Sequence, residues 1–445
     1  MPVLQAEGLA FVAYVLVALT GVASTAAAQT APTVTPIVQN VSRFESWSFL
    51  EPSRADADSD YSLFSNRTTL GIHVDTRRLT VDGAFQYAQL YGLPRRATGP
   101  GPLGPGGMYF AAARTPQAYQ LYFKSLSFGV KEIIPGLSLT VGRMRFSSGL
   151  EAQSRTPKVE AIKRERVSGR LIGEVEWSAF ERAFDGARLD LDRSGWHATT
   201  ALLFPTQGGF EESANPTMSS VRVASAAVTR QFGYSEIQIF AHHYQDGREV
   251  NVRPDNSLLP ATRVDIGLAT AGVSHIGVYL LGSGHVDSVV WIAGQLGDWY
   301  DQRQRSYSAI VEGGYQWPGG WRPWLRAGAQ YASGDPDPRD NRHSTFFPML
   351  PSTRPDFLAS TFAQMNLRDV FGQIRLHAAD HVVIGGEIHR LWLANAADRW
   401  YSGTGATARR GEFFLVTSAA RLVWPPIWEH GCKCRLKPPC PRSGR

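Results

Sequence analysis

Arginines and carboxylates recur at alternating positions in this sequence, and the chemistry open to them is recognition of charge rather than bond making. In RLIGEVEWSAFERAFDGARLDL, residues 170–191, three arginines and five carboxylates are set among aromatics. Arginine offers a planar, permanently charged fork suited to bidentate contact with carboxylate or phosphate, and only six basic residues of the chain are lysine. Catalytic sets are weaker. His242, His243, His389 and Ser333 offer acid-base and nucleophilic groups without motif spacing, and the chain has 11 histidines, so such coincidences are expected. DPDPRD presents Asp335, Asp337 and Asp340 but lacks the glycine and closing Glu of a calcium loop, and it reads better as an Asx-turn loop. Cys432, Cys434 and Cys440 lie near His430 in a tail with no folded frame around them. No catalytic residue, metal site or cofactor is expected.

The elements that must position the charges follow from composition and period. An apolar run, LAFVAYVLVALTGVA, precedes Ala26 and Ala28, which fit a small-residue cleavage pattern before Gln29. Residues 1–28 are therefore read as a secretory leader. Beyond it no run of about 18 apolar residues appears, which argues against transmembrane helices, while the mean hydropathy of -0.19 is compatible with strands of alternating polarity without singling them out. Of the net charge of +6, the Cys/Pro-rich tail at 425–445 holds +4 and the leader holds Glu7, so the body carries only +3. That is too little bulk basicity for a nucleic-acid protein.

Period-two alternation bounded by turns dominates residues 29–424. In RTTLGIHVD, Leu70, Ile72 and Val74 oppose Thr69, His73 and Asp75, and LTVDGAFQY continues the pattern after a short turn. Roughly sixteen such segments occur, most near the 9 to 11 residues that a tilted strand needs to cross a bilayer. Short turns (76–78, 134–136, 193–195, 231–233, 318–320, 378–380) alternate with long loops (51–65, 92–117, the region after Gly149, 205–218, 245–261, 333–363, 393–410). The expected fold is all-β, a transmembrane antiparallel β-barrel of about 16 to 18 strands with short periplasmic turns and long extracellular loops. The Gly- and Pro-dense loop GLPRRATGPGPLGPGGMYF is read either as capping or constricting the outer mouth or as a flexible surface loop without gating.

Parity then assigns the charges, because an arginine at the lipid midplane costs about 2 to 4 kcal/mol and a luminal one keeps its water. Arg67, Arg188, Arg222, Arg263, Arg326 and Arg375 are placed inside, with Asp82, Asp190, Asp265 and Asp369. Arg143 shares the parity of Leu139 and Val141, so a luminal position there requires a bulge near Gly142 or a place beyond the membrane edge. Reversing Arg188 and Arg326 to Glu is expected to lower anion preference.

GRMRFSSG (142–149), RLIGEVEW with RAFDGARL (170–177 and 182–189), SGDPDPRDNRHSTFFPMLP (333–351) and GEIHRLWLANAADRWYSGTG (386–405) resemble the alginate-export outer-membrane porins. The likeness covers most of residues 40–412. It implies a monomeric barrel of about 18 strands in outer-membrane lipid, with an arginine-rich channel that passes a polyuronate or smaller anionic solute passively and could work beside periplasmic secretion proteins. By position, Arg67, Arg143, Arg170, Asp185, Arg188, Arg326 and Arg375 correspond to that path. After GEFF (411–414) the sequence departs from the family pattern, as though a shifted reading frame replaced the last strands, which bears on closure because an open edge is unpaired in lipid. A barrel enzyme of lipase or esterase type and a non-conducting structural barrel are the rival expectations.

Overall fold

A computed structural model of the chain describes residues 32–48, 58, 60–97, 105–210, 214–249, 253, 255, 257, 259, 263–352, 362–379, 382–402, 405–406 and 413–422. The leader, the 425–445 tail and the tip of the Gly/Pro loop lie outside the described residues.

The alternating segments form strands β1 (Thr33–Ser48), β2 (Asp60–Asp75), β3 (Leu79–Tyr91), β4 (Gln117–Val130), β5 (Leu137–Met144), β6 (Phe184–Arg193), β7 (Trp196–Pro205) and β8 (Val221–Phe232). The series continues with β9 (Ser235–Asp246), β10 (Ile266–Leu281), β11 (Gly284–Trp299), β12 (Gln302–Gln316), β13 (Trp324–Ala332), the two-residue β14 (Arg342–His343), β15 (Leu367–Ala379) and β16 (Val382–Leu393). A small hairpin, β17 (Tyr401–Ser402) with β18 (Gly405–Ala406), precedes β19 (Phe413–Leu422). Every long strand pairs antiparallel with the next long one, from β1–β2 through β12–β13, β13–β15, β15–β16 and β16–β19. The result is a sixteen-stranded meander of the expected class. Among the described residues no ladder joins β19 back to β1.

Why these segments are strands is visible in their exposure. Along β8 burial alternates without a break from Val221 to Thr229. The sheet is inside-out relative to a soluble sandwich: Ile239 is 64% and Val311 57% exposed, whereas Asp287 is 0% and Glu312 4%. An apolar outer band with polar groups turned inward is the arrangement that lipid demands. Helices are short: α1 (Pro105–Ala113) and α2 (Pro157–Arg166). No described helix is long and apolar enough to cross a membrane, which says nothing of the strands.

The connections segregate by rim as expected, with one departure. On the long-loop rim β11 and β12 are joined by only Tyr300 and Asp301, with Tyr300 at φ 53°. The described end of the Gly/Pro loop, α1, sets Tyr109 edge-on against Phe180 (6.1 Å) and Phe210 (5.1 Å). That helix is thereby seated on the segment that fills the barrel.

Candidate conduction path

Between β5 and β6, residues 145–183 leave the outer rim, fold into the lumen and reach the short-turn end before returning. Gln231, at the inner end of β8, accepts from the Arg155 backbone N–H (3.1 Å) and donates to the Gln153 carbonyl (2.7 Å). Lys158 donates to Gln316 at the inner end of β12 (2.5 Å) and lies 5.0 Å over the Trp324 ring. From that point α2 climbs back. Pro157 supplies the fixed φ that suits a first helical position, Glu160 lies in the first turn, and Lys163, Arg164 and Arg166 fill the last, where the helix dipole favours cations.

Charged pairs hold the inserted segment to the wall. Lys163 meets both Glu236 oxygens on β9 at 3.1 and 3.2 Å. Arg166 donates twice to Glu312 on β12, at 2.7 and 2.8 Å. Arg326 bridges Asp287 (2.6 Å) and the same Glu312 (3.0 Å), and Arg170 approaches Glu312 at 3.7 Å. Glu312 is thus the hub of three guanidiniums. Arg375 pairs with Glu165, while Arg188 pairs with Asp190 (2.8 Å) and donates to the Glu151 carbonyl (2.8 Å). On the far wall Arg67 donates to the carbonyls of Glu176 (2.9 Å) and Ser178 (2.6 Å) and pairs with Glu181 (2.9 Å). Lys124 meets Glu174 and Glu181, each at 3.1 Å.

A second loop closes on the first. Gly173 donates to the Leu350 carbonyl (2.9 Å), Leu350 to that of Leu171 (2.9 Å), and Ser352 to that of Gly169 (2.8 Å). A Cβ on Gly173 would meet the Ser352 backbone nitrogen at 3.0 Å and its Oγ at 2.3 Å, so this close approach requires glycine. The 145–183 and 333–352 loops therefore form one constriction.

Arg67, Arg170, Arg188, Arg326 and Arg375 are brought inside, and each engages the inserted segment or a carboxylate beside it. Five residues differ from expectation. Arg222 lies on the outward face of β8 beside Gln245, in register with outward Ala224 and Ala226. Arg263 and Asp265 are exposed in the connection just before β10, outside any strand. Parity failed at both because Val221, Val223, Val264 and Ile266 face inward yet are apolar, packed in one cluster with Phe346, Met349 and Leu350. Where loops fill the lumen, the inner face is greasy too. Arg143 forms a bidentate pair with Asp185 (2.8 and 2.8 Å) and donates to Asn215 (3.1 Å), on the face it shares with Leu126 and Val141. No register shift occurs at Gly142, so Arg143 and Asp185, both expected on the path, stand on the outward face at the outer rim instead of in the lumen.

Sequence reasoning missed Lys124, Lys163, Arg166 and Glu312. Lys124 follows the inward parity of β4, and the basic run KVEAIKRER was a signal for a charged helix. The catalytic candidates are not brought together: His242 faces inward beside Ser225 (3.0 Å), His243 faces outward, and His389 is held by Asp369 (3.0 Å). Asp337 and Asp340 accept from the Arg339 (3.0 Å) and Arg342 (2.7 Å) backbone N–H groups, as Asx turns do.

Burial opposes ionisation of Glu181, but Lys124 and Arg67 beside it outweigh that and hold its pKa below the usual carboxylate range. A depressed carboxylate stabilises the folded arrangement above its unfolded pKa, and the effect is lost as pH falls through the folded value. Open-channel current is therefore expected to be steady from neutral pH to about pH 5 and to grow noisy below about pH 4, as the segment loosens from β2 and β4. Single-channel recordings across that range check this; noise that rises toward alkaline pH instead contradicts it.

A family model described as alginate export matches residues 126–421. A search of curated proteins finds no match. Among solved structures, a BenF-like porin from Pseudomonas fluorescens Pf-5 superposes with a TM-score of 0.52 at 9% identity, covering 88% of this chain and 93% of that one. Pseudomonas aeruginosa OccK2 (OpdF), solved in complex with glucuronate, gives 0.50 at 9% identity, covering 89% and 94%. At this identity the two structures speak for the fold, an outer-membrane porin barrel.

Proposed function

The chain belongs to the alginate export family, and from that premise we propose that this outer-membrane channel is anion-selective and passes an acidic polysaccharide of the alginate type, or a smaller anionic solute, by passive diffusion. The observation that carries the proposal is the charge on the inserted segment. Residues 145–183 hold eight Arg and Lys side chains against six carboxylates. Most of these are consumed in buried pairs with the wall, but Arg145 and Arg164 keep 64% and 60% of their side chains exposed. Each also meets a carboxylate of the segment, Glu174 and Glu160, whose side chains are themselves largely buried. Close against the channel wall a cation attracts an anionic solute by about 4 kcal/mol at 4 Å and an effective dielectric near 20, enough to bias entry without trapping.

In this reading a single subunit forms the path, and periplasmic secretion proteins act as suppliers of polymer rather than as part of the pore. The interior arginines are structural counterions in this reading. Reversing Arg188 or Arg326 would break buried pairs, so Arg145→Glu with Arg164→Glu is the cleaner probe of selectivity. The double variant is expected to shift the reversal potential in a salt gradient toward cations. An unshifted potential would show that these two side chains do not set selectivity.

A further inference from the structure

On the outward face, three consecutive cross-strand rows pass from apolar to cationic towards the outer rim. The lowest runs Thr200, Ala226, Ala241, Ala271, Gly294, Tyr307, and the next Leu202, Ala224, His243, Ala269, Leu296, Arg305. The uppermost runs Arg222, Gln245, Gly267, Asp298, Arg303, Arg342. Below all three lie Val228, Ile239, Val273 and Ile292, the ordinary lipid-facing band. The small residues of the two lower rows leave a shallow bay of about 1030 Å³, walled by Leu296 and Tyr307 and overhung by Arg305 and Arg342.

The charges above the bay are the unusual part. Arg303, Arg305 and Arg342 are exposed, and among the described residues none has its guanidinium in ion-pair range of a carboxylate. Asp298, directly across from Arg303, is the one acid in the row and does not pair with it. His243 adds a titratable group in the row below. Guanidiniums standing at the top of an apolar wall meet whatever headgroups occupy that depth. In the outer leaflet of a Gram-negative outer membrane these are phosphorylated glycolipids, and a guanidinium fork binds phosphate bidentately.

We propose that this bay between β8 and β12 is a specific site for one phosphorylated glycolipid of the outer leaflet, its phosphate held by Arg303, Arg305 and Arg342 and an acyl chain lying over Ala224, Ala241, Ala269 and Ala271. Charge complementarity selects a lipid over a protein partner, because the bay opens onto the bilayer and its floor is contiguous with the lipid-facing band. The site fixes the depth of the long β11–β12 hairpin, whose two-residue turn is the shortest connection between long strands on the outer rim. The inference rests on the outer-membrane placement and is independent of what the channel passes.

The test is lipid retention by the full chain extracted from outer membranes in mild detergent, read by native mass spectrometry and by bound phosphorus. Wild type is expected to carry one glycolipid; Arg303→Ala with Arg305→Ala is expected to retain at least tenfold less. Ala271→Leu, which fills the bay without altering charge, should also lower retention. Equal retention by the double variant, equal retention of a glycolipid stripped of phosphate, or no lipid on wild type overturns the proposal. Conductance of the same preparations separates the two readings: channels that conduct without bound lipid refute only the lipid site, and lipid retained on silent protein refutes only the channel.

Discussion

Excising residues 152–182 and joining the ends with a short flexible linker is expected to leave a folded barrel whose single-channel conductance is at least about twice that of the full chain, since a helix about 10 Å across no longer occupies the lumen. The segment carries its own helix and packs Val159 and Ile162 into the luminal apolar cluster. The sixteen-stranded ladder does not depend on it: β5 and β6 pair through eight residues from Leu137↔Leu191 to Met144↔Phe184 without any residue of the insert. The same excision is expected to weaken anion preference, because Arg145 then stands without Arg164. A conductance equal to that of the full chain would mean that ions take a route the segment does not border.

Replacing Glu312 by Gln is expected to lower stability by about 3–5 kcal/mol, the range for removing one partner from a buried ion pair, because three guanidiniums lose their shared carboxylate. Before the change Glu312 is shared by Arg166, Arg170 and Arg326; after it Arg326 keeps Asp287 at 2.6 Å and Arg166 has Glu387 only at 3.9 Å. Arg166 is the group with most to lose, since its fork is aligned to both Glu312 oxygens and its guanidinium also lies 4.7 Å over the Phe371 ring. The response is expected as a lower midpoint in denaturant and as flickering of the open state. Adding Arg166→Met should recover part of the loss, as a buried pair replaced by apolar atoms is often neutral or better. Unchanged stability and a steady current in Glu312→Gln would show that the segment is held by its apolar contacts alone.

Much of the architecture was legible because a β-barrel wall imposes a two-residue period that composition cannot hide. Leu70, Ile72 and Val74 against His73 and Asp75 read correctly as one hairpin wall, and β6 places Leu189 outward and Arg188 and Asp190 inward as its alternation indicates. The period says which residues share a face, however, and not which face is wet. At β8 both faces are apolar, because Val221 and Val223 pack against loops that fill the lumen, and Arg222 was placed on the wrong side. The path itself was the least legible part. Lys163 finds Glu236 at a separation of 73 residues, Arg166 finds Glu312 at 146 and Arg375 finds Glu165 at 210. Nothing local in a long loop says whether it folds outward into solvent or back into the barrel. What the sequence did contain was the oddity of KVEAIKRER, a helical stretch with four cationic residues beside the apolar Val159 and Ile162 in an otherwise alternating chain, with Pro157 marking its start.

Selectivity of this outer-membrane channel for acidic solutes can be read from single-channel current through the purified full chain in a planar bilayer under a salt gradient, with and without oligouronates on one side. Discrete steps, a reversal potential on the anion side and concentration-dependent block by the oligouronate are the predicted result. A cation-side potential with no block by the oligouronate, or a silent bilayer, would contradict it.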